Sequence, residues 1–338
     1  MKAFYVRCST LSAILCSIIT PAAVAAELKL PGDGWVSWQV RAVDDAPAWC
    51  CWSWRNSNAT SKPCQLDGAD GSYGSRDDAK TDSIRMYARV EAGKIQRVRA
   101  LSASCPVQAG TEVQDLTTVS EEESARWLAQ LIQPKNSDAI RASVRRDATA
   151  ALAIHQGDTA QELLSGIARN DARKEIRKEA VFWLAHLRGQ PGAQVATSIM
   201  FADEEAEVRE HATFSVSQSK SPQAASDLIR LANTDANASV RAQAWFWLAK
   251  TESPATEGAI GSALRKETDD EVHNQAIFAL SQLPGDRATK ALIALVEDQS
   301  RLSEDRKHAI FWLAQSNATG AQAYLEKMLI GSAAGENR

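Results

Sequence analysis

The sequence predicts a mainly α protein, a right-handed α-solenoid of paired helices, with a small disulfide-containing β-rich domain before it. Three observations predict this fold class. A short segment beginning Ala-x-Phe recurs at a nearly constant interval, the hydrophobic period changes to two before residue 118, and the four cysteines that follow Ala26 all lie in that earlier part. The first two patterns are typical of stacked helical repeats and of half-buried strands, respectively.

The recurring segment is the unit of the predicted solenoid. Its copies begin at Ala180, Ala212, Ala244, Ala276 and Ala309, with a weaker copy at Ala148. The interval between successive first alanines is nearly constant, at about 32 residues, a period typical of helical repeat arrays. A constant period of this size predicts stacked units that bury their apolar faces against one another.

Each repeat is predicted to contain a shorter first helix and a longer second helix. The first helices are expected near 121–132, 159–169, 191–201, 222–232, 255–265 and 286–297. Ser120 and Glu123 have the spacing of a capping box at the start of the first one. Pro191, Pro222 and Pro254 stand where helices begin, a position that tolerates proline. A closing cap helix is predicted over 320–330.

The repeat unit resembles HEAT repeats, in particular the short HEAT-like form of phycobilin lyases. The residues that carry the resemblance are Ile176-Arg177, Val208-Arg209 and Val240-Arg241, each preceded by an aspartate, Asp171, Asp203 or Asp235. Two positions depart from the pattern: His273 replaces the arginine of repeat five, and Asp305 replaces the valine of repeat six. The resemblance implies a solenoid whose concave face binds other molecules, as in scaffolds, adaptors and occasional enzymes. The whole layout also resembles exported bacterial HEAT-repeat proteins.

On a helical wheel of the second helix, three positions share one stripe with the first alanine of the repeated segment. They are the residue four before the alanine and the residues three and four after it. This stripe is predicted to be core, and it includes Trp183, Trp247, Trp312, Leu184, Leu248, Leu280 and Leu313. The arginines three residues before the alanine are predicted to pair with aspartates of an adjacent repeat, in a structural ladder. They are Arg177, Arg209, Arg241 and Arg306.

A row of phenylalanines lies 200° from that stripe, two residues after each alanine. The row comprises Phe182, Phe214, Phe246, Phe278 and Phe311, and His211, Gln243, Gln275 and His308 lie beside it. We predict that these nine residues form a ligand-binding site on the concave face, because exposed apolar rows mark interaction sites. The alternative is that neighbouring second helices pack together and bury the row.

The N-terminal part is predicted to be β-rich. Val36, Trp38 and Val40 alternate with polar residues, as in a half-buried strand. The segments 84–90 and 95–101 form a predicted hairpin around a turn at 91–94. The polar stretch 56–80 is predicted to be a loop, and the Asp and Gly residues at 67–71 lack the carboxylate spacing of a calcium site. Trp35, Trp38, Trp49, Trp52 and Trp54 are predicted to form a small core rather than an aromatic binding face.

Four cysteines, Cys50, Cys51, Cys64 and Cys105, are predicted to form two disulfides. Because adjacent cysteines pair only through a strained ring, Cys50 and Cys51 are expected to pair outward, one with Cys64 and one with Cys105. The sequence leaves the choice open. Zinc is the weaker alternative, because the usual spacing of zinc ligands is missing.

Residues 1–26 combine an N-terminal basic region, an apolar run and an Ala-rich end, which predicts a signal peptide and a periplasmic or secreted protein.

The predicted domains are the β-rich domain over 27–118, six repeats with a cap helix over 119–331, and a tail over 332–338. Beyond residue 26 the chain has 36 basic and 42 acidic side chains, which disfavours nucleic acid as a partner. After signal cleavage no further membrane span is expected.

No set of residues predicts a reaction. The five histidines are scattered over the repeats, no His-Glu step is present, and no phosphate loop or nucleophile elbow occurs. We therefore predict no cofactor and no metal, and interpret the protein as a scaffold that binds a protein or peptide. The alternative is an oxidoreductase or lyase of the HEAT-like class acting in the repeat groove.

Overall fold

The computed structural model describes residues 28–55, 58–68, 73–133 and 140–335. The predicted signal peptide lies outside these residues. The described N-terminal part contains strands β1 Gly34–Arg41, β2 Pro47–Arg55, β3 Asn58–Ser61, β4 Cys64–Gln65, β5 Tyr73–Lys80, β6 Ser83–Glu91, β7 Lys94–Ser102, β8 Val107–Gln108 and β9 Val113–Asp115. They form sheets of order β7-β6-β1-β9, β3-β2-β5 and β4-β8.

The predicted hairpin is β6–β7, an antiparallel pair whose turn contains Ala92 and Gly93. Both turn residues have positive φ, 50° and 70°, as a two-residue hairpin turn requires. The carboxylate of Asp33 accepts hydrogen bonds from both of their backbone N–H groups, at 2.9 and 3.2 Å. These bonds connect the turn to the chain segment that leads into β1.

The prediction of a loop over 56–80 was wrong, because β3, β4 and β5 lie within it. The longest of them, β5, pairs antiparallel with β2, whose other edge pairs with β3. The sequence of β5 is mostly polar and has no β-branched residue, and Tyr73 is its single residue of a type enriched in strands. Pairing with the long apolar strand β2 supplies the backbone hydrogen bonds that the local sequence does not predict.

The structure pairs Cys50 with Cys105 and Cys51 with Cys64, with Cα–Cα distances of 5.6 and 5.2 Å. The prediction that both adjacent cysteines pair outward is confirmed, and the connectivity is settled. The two disulfides join β2 to β4 and to the segment that follows β7, in a small core that also contains Trp35. Trp35, Trp38 and Trp49 are buried, as predicted, whereas the side chains of Trp52 and Trp54 lie outside the description.

The rest of the described chain is helical. Its helices are α1 Glu121–Ile132, α2 Ala142–Ile154, α3 Asp158–Asn170, α4 Lys174–Leu187, α5 Gly189–Ala202, α6 Ala206–Ser217, α7 Ala224–Thr234, α8 Ala238–Lys250, α9 Thr256–Ala263, α10 Asp270–Ser281, α11 Asp286–Glu297, α12 Ser303–Gln315 and α13 Thr319–Gly335. The capping box at Ser120 and Glu123 is present. No helix among the described residues is both long and apolar enough to cross a membrane.

The even-numbered helices form one layer and the odd-numbered helices the other. Neighbouring second helices contact one another along the whole array from α2 to α12, whereas contacts between first helices become sparse beyond α5. The second helices therefore lie on the inner, concave side of the array. The alanine that begins each repeated segment is buried between the layers, as are the leucines predicted to be core.

The β-rich part packs on the first two helices and shares their core. The indoles of Trp38 and Trp127 meet edge to face with centroids 5.3 Å apart. Trp38 Nε1 donates to Ser124 Oγ at 2.7 Å, and the backbone N–H of Val43 donates to the Ile154 carbonyl at 2.9 Å. These contacts cover the first end of the array, where the core of a repeat stack would otherwise meet water.

At Gly192 the start of α5 lies close to the end of α4. A Cβ atom at this position would overlap the carbonyl oxygen of Leu184 and the side chain of Arg188. We expect Gly192→Ala to lower the free energy of unfolding by about 3 kcal/mol, the upper end of overpacking effects.

Gly166 in α3 provides the matched control, because a Cβ atom there meets nothing within 4 Å. Gly166→Ala is expected to raise stability by about 0.5–1 kcal/mol, since alanine favours the helix. Urea denaturation of both variants measures the difference. Equal stabilities for the two variants would contradict the close helix approach.

Candidate functional site

The five phenylalanines of the predicted site all lie on the inner layer, one on each of α4, α6, α8, α10 and α12. Phe182, Phe214, Phe246 and Phe278 are half-buried. Phe311, at the end of the row, is 51% exposed. The sequence analysis considered a row on an open concave face and a row buried between second helices. The structure has features of both, because the rings pack between neighbouring helices and part of their surface stays exposed.

The rings contact one another from helix to helix. Phe182 and Phe214 stack with centroids 5.8 Å apart and planes 8° apart, and Phe246 and Phe278 repeat this geometry at 5.9 Å and 4°. Such offset contacts stabilise aromatic pairs beyond simple burial.

Between α6 and α8 and between α10 and α12, a tryptophan contacts the phenylalanine of the preceding second helix. Phe214 meets Trp247 at 4.7 Å, and Phe278 meets Trp312 at 4.8 Å. At the first end, Trp49 of β2 lies 5.5 Å from Trp183. We call this continuous surface the aromatic strip, which consists of Phe182, Trp183, Phe214, Phe246, Trp247, Phe278, Phe311 and Trp312.

The prediction that Trp183, Trp247 and Trp312 are core residues needs correction, because all three are half-buried and belong to the strip. The same position on α6 and α10 holds the small residues Ser215 and Ala279, which are fully buried. Parallel Phe-Phe stacks connect α4 to α6 and α8 to α10, and Phe-Trp contacts connect α6 to α8 and α10 to α12. The contact pattern therefore repeats every second helix pair.

Polar residues flank the strip. His211, Gln243, Gln275 and His308 are half-buried beside it. On the other edge, the imidazole of His186 stacks on Phe182 with centroids 5.5 Å apart. Lys250 Nζ lies 5.5 Å from the Phe246 ring centroid and donates to Gln282 Oε1 at 3.3 Å. The strip thus has an apolar floor and a largely uncharged, hydrogen-bonding edge.

The predicted arginine ladder is present between the helix pairs. Arg177 pairs with Asp203 at 2.9 Å, Arg209 with Asp235 at 2.8 Å, and Arg241 with Glu267, in place of an aspartate, at 2.9 Å. Each guanidinium also donates to a backbone carbonyl at the end of its own first helix, at 2.9 Å. These charge-assisted bonds satisfy buried groups and fix the angle between successive pairs.

Arg306 departs from the prediction, because it hydrogen-bonds Gln299 instead of an acid. In the other steps of the ladder, the acid lies at or after the end of the first helix of the next pair. No seventh helix pair follows α12 in the described chain, and the cap helix α13 stands in the place of that first helix.

The two departures from the repeat pattern contact each other. His273 Nδ1 lies 2.9 Å from Asp305 Oδ1, and His273 Nε2 lies 2.9 Å from the Glu267 carbonyl oxygen. Both ring nitrogens thus face acceptors, and only an imidazolium donates to both. Burial opposes protonation, but the bonds to Glu267 and Asp305 outweigh it and raise the pKa of His273 above its ordinary value.

This raised pKa predicts a pH-dependent step in stability. The contribution of the His273–Asp305 pair is full below the unfolded pKa of about 6.5 and is lost as the pH rises through the higher folded pKa. His273→Gln is expected to remove this alkaline loss while lowering stability at pH 6. Unfolding curves of both proteins from pH 6 to pH 9 measure it, and an unchanged slope in the variant would contradict the assignment.

A buried serine and histidine form a second unusual pair. Ser124 Oγ lies 2.8 Å from His155 Nε2, and His155 Nδ1 lies 2.6 Å from the carbonyl oxygen of Ala151. Because the carbonyl accepts from Nδ1, Ser124 donates to Nε2 and itself accepts from Trp38. Burial lowers the pKa of His155 to about 4. Ser124 lies in α1 and His155 follows α2, and the hydrogen bond from Trp38 of β1 links this pair to the β-rich part. Both side chains are fully buried and offer no surface to a substrate.

Among the described residues, no three His, Cys, Asp or Glu side chains converge as metal ligands do. His155 and His273 are buried in separate networks, and His186, His211 and His308 lie along the strip on different helices. In this arrangement, the three histidines along the strip place hydrogen-bonding groups beside an apolar surface.

The stacked helix pairs define the class of a helical-repeat protein, with a partly exposed aromatic strip on its inner layer. A family model of HEAT repeats matches residues 160–245 and 231–311, so this part of the chain consists of HEAT repeats. Among solved structures, that of human deoxyhypusine hydroxylase in complex with glycerol is similar, at 14% identity and a TM-score of 0.27, over 61% of this chain and 90% of that chain. A likeness of this strength carries no argument about activity. No curated protein sequence matches.

Proposed function

We propose that this protein is an exported scaffold that binds a protein or peptide on the concave face of its HEAT repeats. The observation that carries the proposal is the aromatic strip. Its rings run across five consecutive second helices and remain partly exposed, and apolar surface of this extent on a monomer is typical of an interaction site.

The edges of the strip favour a peptide backbone as the bound group. Gln243 and Gln275 lie along one edge, and Gln218, Gln282 and Gln315 lie in corresponding positions on the other. A primary amide donates and accepts at once, as a peptide unit does. Five helices at about 8–10 Å spacing have four intervals and span roughly 32–40 Å. An extended peptide of about 12 residues, at about 3.3 Å per residue, covers that length.

The first test separates binding from folding. Phe246 contacts both Phe278 and Trp247. We expect Phe246→Gln to cost about 2 kcal/mol, less than the roughly 3–5 kcal/mol of a fully buried phenylalanine. Binding to an array of random peptides of about 12 residues, the length that spans the strip, should be lost.

Phe201 gives the matched control. It is also half-buried and lies on α5 of the other layer, with the Arg230 guanidinium 3.8 Å from its ring centroid. Phe201→Gln should leave the array signal unchanged. Equal signals from both variants, or no array signal from the wild type, would show that the strip is not a peptide-binding surface.

Export is supported by the two disulfides, since paired cysteines are typical of oxidising compartments. We expect the full-length chain, expressed in a bacterium, to be recovered from the periplasm with its N-terminus cut near residue 26 and with no titratable thiol. Intact-mass measurement with and without alkylation tests both statements. Recovery of an uncut chain from the cytoplasm would contradict them.

A further inference from the structure

One side of α12, at the far end of the array, is left uncovered. Each earlier second helix from α4 on carries a fully buried residue directly after its first alanine: Val181, Thr213, Trp245 and Ile277. The same position on α12 holds Ile310, which is only half-buried. The cap helix α13 takes the place of a first helix, and no second helix follows it among the described residues. The side of α12 that another second helix would cover therefore faces outward.

This uncovered side has the spacing of a helix-packing surface. Lys307, Ile310, Phe311 and Ala314 lie three and four residues apart, so they share one face of α12. We call these four residues the end stripe. Phe311 is 51% exposed, and Lys307 and Ala314 are exposed as well.

The end stripe keeps the small residue that close helix packing requires. Five residues after the first alanine, every second helix from α4 to α12 has alanine or serine: Ala185, Ser217, Ala249, Ser281 and Ala314. A small side chain at this position lets the next second helix approach closely. Ala314 is present on α12 although the described chain provides no further second helix to use it.

The stacked rings indicate the same missing contact. Phe182 and Phe246, each on a tryptophan-bearing helix, stack parallel on the phenylalanine of the next second helix. Phe311 lies on the third tryptophan-bearing helix, where the described chain offers no such partner. Trp312 is turned the other way, toward Phe278 of α10. A phenylalanine from another molecule would complete the pattern at Phe311.

Exposed apolar side chains are concentrated at this end of the array. Leu302, directly before α12, is 62% exposed, and Ile330 of α13 is 72% exposed. Among the residues whose side chains the structure describes, all the exposed large apolar ones lie between positions 302 and 330. A concentration of this kind marks an interaction site.

The structure favours a second copy of this chain as the partner. Elsewhere in the array, this side of one second helix packs on the opposite side of the next. That opposite side of α2, the first second helix, is covered by β7, so two molecules cannot stack head to tail. The end stripe of the second molecule is accessible. Lys307 pairs with Glu304 of its own helix at 2.7 Å, so the end stripe carries little net charge to repel its copy.

We infer that two copies of the protein associate through their end stripes around a two-fold axis, with the two α12 helices antiparallel. The Phe311 rings meet at the axis, and the aliphatic stem of each Lys307 lies over the small Ala314 of the other copy. A two-fold interface uses the same surface twice and closes at the dimer. The two aromatic strips then run into each other across the axis. This inference goes beyond the proposed function and requires no bound peptide.

Sedimentation-velocity ultracentrifugation of the purified protein over a range of concentrations tests the inference. We expect a monomer–dimer equilibrium with a dissociation constant on the order of 10 µM, because two helix faces offer less than the roughly 800 Å² per partner of a standard interface. Ala314→Arg should raise this constant at least about tenfold, since it places a second cation against Lys307 of the other copy. Ala314→Glu should raise it less, because a carboxylate there faces that same lysine.

Ala323→Arg is the matched control. Ala323 is also an exposed alanine in a helix at this end, but it lies two residues after the buried Ala321 and so on the outer side of α13. The dissociation constant should stay unchanged in this variant. Phe311→Gln provides a second change within the end stripe and should weaken the dimer as Ala314→Arg does. Thermal melts establish that each variant is folded.

Three outcomes would overturn the inference. The first is a wild-type protein that stays monomeric up to about 100 µM, tenfold above the expected constant. The second is a mass that grows beyond the dimer, which indicates head-to-tail contact. The third is an equal effect of Ala314→Arg and Ala323→Arg, which places the contact outside the end stripe. The proposed function stands or falls separately, with the peptide array.

Discussion

Direct contact between neighbouring second helices is the constraint on which the rest of the structure depends. A buried alanine at the same place in every repeat puts only a methyl group between the two layers, and small residues permit close helix packing. Within the inner layer, neighbouring second helices contact one another directly, which lets rings on adjacent helices stack. The arginine ladder fixes the angle at three successive steps, so this proximity is kept along the array.

Much of the fold follows from periodicity. The constant interval between the repeated alanines predicts the helix pairs, and alternation predicts β1 and the β6–β7 hairpin, because in each case the apolar pattern records which face is buried. The strand β5 could not be found this way, since its formation depends on pairing with β2. The cysteines allowed two possible connectivities, and only the register of β2 against its neighbours decides between them.

The candidate site was predicted in part. The wheel of one isolated helix identifies the face on which Phe214 lies, but it cannot show that Trp247 on the next helix reaches that ring. The alternation of tryptophan with Ser215 and Ala279 was visible in the sequence and is the signal that would have indicated the strip. His273 and Asp305 likewise appeared as two separate departures, although they lie one repeat apart and form one buried pair.

The alternation within the strip also limits how the array can change in length. Trp183, Trp247 and Trp312 lie on every second inner helix, and the small residues between them leave room for the neighbouring rings. Removing one repeat would bring two tryptophan-bearing helices, or two helices with the small residue, next to each other. The unit that can be duplicated or lost without breaking the strip is therefore a pair of repeats, twice the period that the sequence shows.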